Sequence, residues 1–179
     1  MMIAKQMDFN TLKKVAFLTL TYLCLMVEGS VAQMSYPFGT IIKRVFDEQL
    51  KPVKQVDKPA EKAINSFQAD GTWSDVDYNI HSVSNWTPYL HLQRTLDIIQ
   101  GYVCPGARHY NDQKAYQTIL QALETWYQKD PKSDNWWANE IKVPQQLGAA
   151  MILMRFSPKK LPDDLERRLL ERMDRGDAT

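Results

Sequence analysis

Apolar residues that recur every three or four positions, cut into lengths by proline and glycine, limit this chain to a narrow set of folds. Over residues 35–67 the positions Ile41, Ile42, Val45, Phe46, Leu50, Val53, Val56, Ala60, Ile64 and Phe67 keep helical spacing. Pro52 and Pro59 fall within that run, and proline lacks the N–H a helix interior needs. The pattern predicts two or three short helices with breaks or kinks at the prolines, the last ending near Asp70-Gly71. Helical spacing returns over 90–103, with Leu92, Leu96, Ile99 and Val103 on one face and Cys104-Pro105-Gly106 as the stop. It returns again over 110–129, where Ala115, Ile119, Ala122, Leu123, Trp126 and Tyr127 make the buried stripe and Asp130-Pro131 ends it. A further helix is expected to carry Pro144 in its first turn and to bury Leu147, Ala150, Met151 and Met154. A charged helix over 163–174 follows, with Leu165, Leu169, Leu170 and Met173 on one face.

Residues 72–85 hold no sustained period and read as a structured loop in which Trp73, Tyr78 and Asn85 stand out. No period-two run flanked by turn signals is present, and neither is a G-x-G-x-x-G pattern nor a P-loop. The expected class is all-α, which excludes a nucleotide-binding α/β fold.

A length of 179 residues suits one domain, and 44% hydrophobic with 24% charged residues suits a folded one. Lys and Arg number 22 against 21 Asp and Glu, so no general attraction to nucleic acid or anionic lipid follows. A polyanionic partner would need a local site. Lys13 and Lys14 precede the apolar run 15–27, too short for a mature membrane span, and Ser30-Val31-Ala32 follows it. Residues 1–32 are therefore expected to be a signal peptide cleaved between Ala32 and Gln33, giving a secreted or periplasmic product without stable membrane association. A lipid on Cys24 and a retained anchor are the alternatives, although Tyr22 and Leu23 before Cys24 are not the small residues a lipid signal uses. Cys104 would then be unpaired in the mature chain 33–179.

The least generic stretch is Asp130-Pro131-Lys132-Ser133-Asp134-Asn135-Trp136-Trp137-Ala138-Asn139-Glu140-Ile141-Lys142-Val143-Pro144. A Trp pair between polar residues is either a helix-start staple buried in the core or a flat platform for the apolar face of a sugar ring. In the second case Asn135 and Asn139 would offer amides at the platform's edge, and the free N–H groups of the helix start would favour an anionic group.

Asn135-Trp136-Trp137, then Asn139-Glu140-Ile141, Pro144 and the run Leu147-Gly148-Ala149-Ala150-Met151-Ile152-Leu153-Met154 resemble the N-terminal helical domain of polysaccharide lyase family 8, the chondroitin AC, hyaluronate and xanthan lyases. Ile42-Lys43-Arg44-Val45, residues 57–62, Asp70-Gly71-Thr72-Trp73, Asn85-Trp86 and Glu171-Arg172-Met173 extend the likeness, in particular to the chondroitin AC branch. The resemblance implies an incomplete α/α toroid, of which this chain would supply about the first half, followed by β-sandwich domains. It implies substrate-binding roles for Trp136 and Trp137 with Asn135 adjacent, and an acidic polysaccharide, chondroitin or hyaluronan, as partner. The reaction implied is β-elimination: an Asn and its neighbours neutralise the uronate carboxylate, a base takes the C5 proton, and an acid protonates the departing glycosidic oxygen.

In the family those catalytic groups lie beyond the position of Thr179, so none is assigned to His81, His91 or His109, and no catalytic residue is expected in this chain. The chain alone is expected to be inactive, whether as part of a lyase, as a non-catalytic carbohydrate-binding helical module or as an inactive structural fragment with no role of its own. No cofactor is implied, and no His, Cys or acidic cluster has metal-ligand spacing. Asn85-Trp86-Thr87 matches a glycosylation sequon without an expectation of modification. Glu166, Arg167, Arg168, Glu171 and Arg172 form helix-spaced pairs expected to be a solvated face.

Overall fold

A computed structural model describes residues 38–173. The chain divides into two compact units, Met1–Lys43 and Arg44–Thr179. Of the first, residues 38–43 are described and are helical. The expected signal segment, with Cys24 and the Ala32-Gln33 bond, lies outside the described residues, as do residues 174–179.

The second unit begins with the helical residues 44–49, here α1. It continues through α2 (Val53–Asn65), α3 (Tyr89–Val103), α4 (Gln113–Lys129), a π-helical turn (Ala138–Lys142), α5 (Val143–Arg155) and α6 (Asp163–Met173). The described residues contain no strand, and the class is all-α as the periodicity predicts. No helix among them is long and apolar enough to cross a membrane.

α3 is the central element and packs on α2, α4 and α5. Its sequence predicts one apolar face, yet His91, Leu92, Thr95, Ile98, Ile99, Gln100, Tyr102 and Val103 are all buried while Leu96 is only partly so. A helix covered on three sides keeps only a narrow polar stripe, here Gln93 and Asp97, so the simple one-face reading is too narrow. The polar residues on it find partners inside: Gln100 donates its amide to the Gln49 carbonyl (2.8 Å) and accepts from the Lys51 N–H (3.0 Å), tying α1 to α3.

The α2–α3 crossing depends on Gly101. A Cβ there would stand 2.7 Å from the Ala60 Cβ, closer than packed carbons allow. Gly101→Ala should therefore push the two helices apart and lower stability by about 2 kcal/mol. A urea midpoint unchanged from wild type would show that the crossing yields without cost.

Pro52 breaks the first apolar run by standing immediately before α2, but Pro59 lies inside α2 rather than ending it. The carbonyl that Pro59 leaves without a helical donor belongs to Gln55, whose residue is exposed, so water can take the place of the missing N–H. α2 also ends earlier than Asp70-Gly71. The Ser66 hydroxyl donates to the Lys62 and Ala63 carbonyls and closes the helix at Asn65. At the other end of the turn Gly71 takes φ +82°, a backbone state that suits glycine.

α4 starts at Gln113 and not at Tyr110, because the Asp112 carboxylate accepts the Ala115 N–H (2.7 Å) as an N-cap and Asn111 adopts a left-handed conformation before it. The charged face expected on α6 is solvated only at Arg167–Glu171. Arg168 instead forks onto Glu124 of α4 at 3.0 and 2.7 Å, and Arg172 reaches Asp130 at 2.9 Å. Both guanidiniums lie over the Tyr127 ring, 4.8 and 4.6 Å from its centre, so α6 docks on α4 through stacked cations as well as through Leu165 and Leu169. Leu170 leaves the apolar face and is exposed.

Candidate carbohydrate-binding site

Of the five tryptophans, Trp73, Trp86 and Trp126 are buried, whereas Trp136 is 68% and Trp137 45% exposed. The Trp pair is therefore not a staple in the core. Its place is fixed from below. The Asn135 side-chain oxygen accepts the Trp137 N–H (3.0 Å) and its carbonyl accepts the Ala138 N–H (3.0 Å), so Asn135 caps a helical run that begins at Trp136. Asn139 folds its amide back on Ser133, accepting from the Ser133 N–H (3.0 Å) and donating to the Ser133 carbonyl (2.8 Å).

A second segment braces the first. The Asp134 N–H donates to the His81 carbonyl (2.6 Å), the Ser133 hydroxyl to the Ser82 carbonyl (3.1 Å), and the Asn135 amide to the Val83 carbonyl (3.5 Å). Residues 81–83 and 133–135 thus run side by side, with Val83 58% exposed next to the Trp pair's cap. Nothing in the sequence pairs these two loops, and Ser133, which ties them together while itself buried, was not singled out by any motif. Behind the turn lies a cavity of about 110 Å³ lined by Trp126, Asp130, Lys132, Asn139, Glu140 and Arg172, large enough for a few waters and too small for a sugar.

The π-helical turn changes the expected electrostatics. Its closing bond runs from the Val143 N–H to the Ala138 carbonyl, so the chain is already helical where Pro144 enters α5. The open helix start expected near Pro144 is absent, and the first N–H groups of the run are held by Asn135. The turn ends on a side-chain cation instead. The Lys142 ammonium sits 3.7 Å from the centre of the Tyr89 ring, and that contact was not anticipated.

The histidines do not converge on this surface. His91 is fully buried, its Nδ1 accepting from the Tyr78 hydroxyl (2.9 Å) and its Nε2 donating to the Ala122 carbonyl (2.8 Å), the tautomer the carbonyl requires. Burial first of all holds its pKa down at about 4, and burial pushes Tyr78 up to about 12. With Arg94 close by, a Tyr–His–Arg trio exists, but it faces Trp73 and Trp126 in the core and its acid and base are both tuned away from neutrality. It holds the fold together. His81 contributes its backbone carbonyl to the loop brace, and His109 keeps Nε2 buried without a partner. Cys104 is a buried free thiol whose pKa is raised by burial and then by Asp57. Among the described residues no group of three or more His, Cys, Asp or Glu side chains is placed to hold a metal ion.

The sequence profile of the polysaccharide lyase family 8 N-terminal alpha-helical domain matches residues 35–178. The chain is 44% identical to Chondroitinase-AC of Pedobacter heparinus over 147 residues, covering 82% of this chain and 21% of that protein. It is also similar to a solved structure of chondroitinase AC lyase, determined as enzyme-oligosaccharide complexes, with a TM-score of 0.74 and 45% identity over 76% of this chain and 20% of that one. The chain thus spans about a fifth of the length of these relatives. Helical order, family profile and structural likeness agree, and the chain belongs to polysaccharide lyase family 8 through its N-terminal alpha-helical domain.

Proposed function

We propose that this chain seats an acidic glycosaminoglycan, chondroitin or hyaluronan, for a lyase of the chondroitin AC type, with the proton-transfer groups of β-elimination supplied from outside the described residues. The observation that carries this reading is the Trp136-Trp137 pair. Two indole faces stand open to solvent on a segment pinned by Asn135, Ser133 and Asn139, which is how a rigid stacking surface is built. Sugar rings offer apolar C–H faces to such surfaces, and the solved relative was studied with oligosaccharides. The helices are taken as the opening part of an incomplete toroid, and residues 1–32 as a signal directing the chain to the periplasm or beyond.

Elimination requires a neutralised carboxylate, a base at C5 and an acid at the glycosidic oxygen. His91 is fully buried and the half-buried Tyr78 spends its hydroxyl on His91 Nδ1, so neither is offered to a sugar, which supports placing the chemistry elsewhere. Asn135 acts here as a positioning residue: its amide already caps the helical run, so it holds the platform in place at the sugar's edge.

The test is to mix the purified chain with chondroitin sulfate and with hyaluronan, following Trp fluorescence and the ultraviolet absorbance of the unsaturated uronate that elimination leaves. Quenching without new absorbance is expected, with affinity falling about tenfold in Trp136→Ala/Trp137→Ala. Growing absorbance would place the catalytic groups within this chain, and affinity unchanged in the double variant would remove the platform.

A further inference from the structure

We propose that Lys142, held on the face of Tyr89 beside the Trp pair, is the residue that selects an acidic sugar over a neutral one on this surface. The inference rests on the platform reading and adds to it the source of charge selectivity.

Three observations place the cation. In a turn closed by an i to i+5 bond, residues five apart stand one above the other, and Trp137 and Lys142 are so spaced across the turn Ala138–Lys142. Trp136 and Ile141 have the same spacing, and Ile141 is 36% exposed, so that side of the turn is open to solvent. An ordinary α-helical turn would have rotated Lys142 away from Trp137. The ammonium is also oriented in advance, 3.7 Å from the centre of the Tyr89 ring at the start of α3.

Lys142 has no carboxylate partner among the described residues, in contrast to the other cations near this segment: Lys132 is bound to Asp130 at 2.6 Å and Arg172 to the same carboxylate at 2.9 Å. Glu140, the nearest acid in sequence, lines the small cavity with Asn139 and Val143 and makes no ion pair with Lys142. A lysine on an aromatic ring keeps most of its charge available to a further anion, because a ring's quadrupole does not neutralise it as a carboxylate does. Its flexible stem is already ordered, so less freedom is lost when an anion arrives. The ligand class is a uronate carboxylate or a sulfate ester on a sugar stacked against Trp137. A neutral sugar would meet the same indole faces and gain nothing from Lys142.

The experiment compares binding of chondroitin sulfate with binding of the same polymer after carboxyl reduction and desulfation, read by Trp fluorescence on the purified chain. Lys142→Met, which keeps an apolar stem, should lose about tenfold in affinity for the acidic polymer and nothing for the neutral one. Its dependence on salt should also become shallower. Tyr89→Leu, which frees the ammonium without removing it, should fall between the two. A Lys142→Met variant that retains wild-type preference overturns the proposal, as does equal loss on both polymers, which would mark a purely structural contact. The platform is judged separately by Trp136→Ala/Trp137→Ala. If that variant loses both polymers while Lys142→Met keeps its preference, only the Lys142 assignment fails. If that variant binds as wild type, or if wild type binds neither polymer, platform and Lys142 fail together.

Discussion

Trp73→Ala should lower the stability of this chain by about 4 kcal/mol, the largest loss expected from any single substitution considered. The indole is 1% exposed and joins three elements. Its Nε1 donates to the Ala63 carbonyl in α2 (3.1 Å), its ring meets Phe67 edge-on at 4.8 Å and His91 of α3 at 4.9 Å, and the Arg94 guanidinium lies over it. Arg94 is in turn gripped by Asp75 through two bonds of 2.6 Å. Removing the ring empties a volume that α2, α3 and the 72–85 loop all border, and leaves the Ala63 carbonyl without the indole donor. Trp73→Phe, which refills much of the space but cannot donate, should lose about half as much. Urea unfolding followed by far-ultraviolet circular dichroism reads both. Equal losses in the two variants would assign the effect to the hydrogen bond, and a loss below about 1 kcal/mol for alanine would show that the loop is not part of the cooperative core.

That expectation also locates what the sequence could and could not convey. Helices α3 to α6 were legible because their apolar residues keep a period and their ends carry punctuation: Cys104-Pro105-Gly106, Asp130-Pro131 and the acidic start of α6 each stand where a helix changes state. The 72–85 loop carries no period, so nothing in its pattern tells that Trp73, Val76 and the adjoining Trp86 are core residues while Val83 is surface. Local rules failed where a tertiary contact overrode them. Pro59 sits inside α2, where the acceptor it orphans belongs to the exposed residue Gln55, and Arg168 and Arg172 left the solvated face because α4 and its C-cap offer Glu124, Tyr127 and Asp130. At the candidate site the Trp pair was visible as a motif, but its exposure was undecided between core and platform. The brace from residues 81–83 and the meeting of Lys142 with Tyr89 join positions far apart in the chain, and only the folded packing supplies them.

The second large effect is a dependence of stability on pH carried by His91. In the unfolded chain the imidazole takes up a proton as pH falls through its ordinary value of 6.5, whereas in the fold burial holds its pKa near 4, with Arg94 and Lys129 adding to the depression. Between those values the unfolded chain binds more protons than the folded one, so stability falls as pH falls. The contribution is fully present above about 6.5 and about 3 kcal/mol of it is gone by pH 4. The carboxylates with depressed pKa values, Asp75 and Glu124 through their Arg partners and Asp70 through Thr72, act in the same direction but below their ordinary values of 3.8 and 4.5. Asp97, whose pKa burial raises, opposes them. The difference between wild type and a variant lacking this imidazole, followed from pH 7 to 5, therefore isolates the histidine. His91→Phe, which fills the space and cannot titrate, loses the bonds to Tyr78 and Ala122 and should be less stable than wild type at pH 7. Its stability should nevertheless be nearly flat down to pH 5, so the gap between the two proteins closes as acid is added. Urea midpoints measured at several pH values decide the matter: parallel curves for wild type and variant would mean that the imidazole takes up its proton over the same range folded as unfolded, whereas a gap that widens as acid is added would mean that it is already protonated in the fold, with Nδ1 donating to the Tyr78 oxygen.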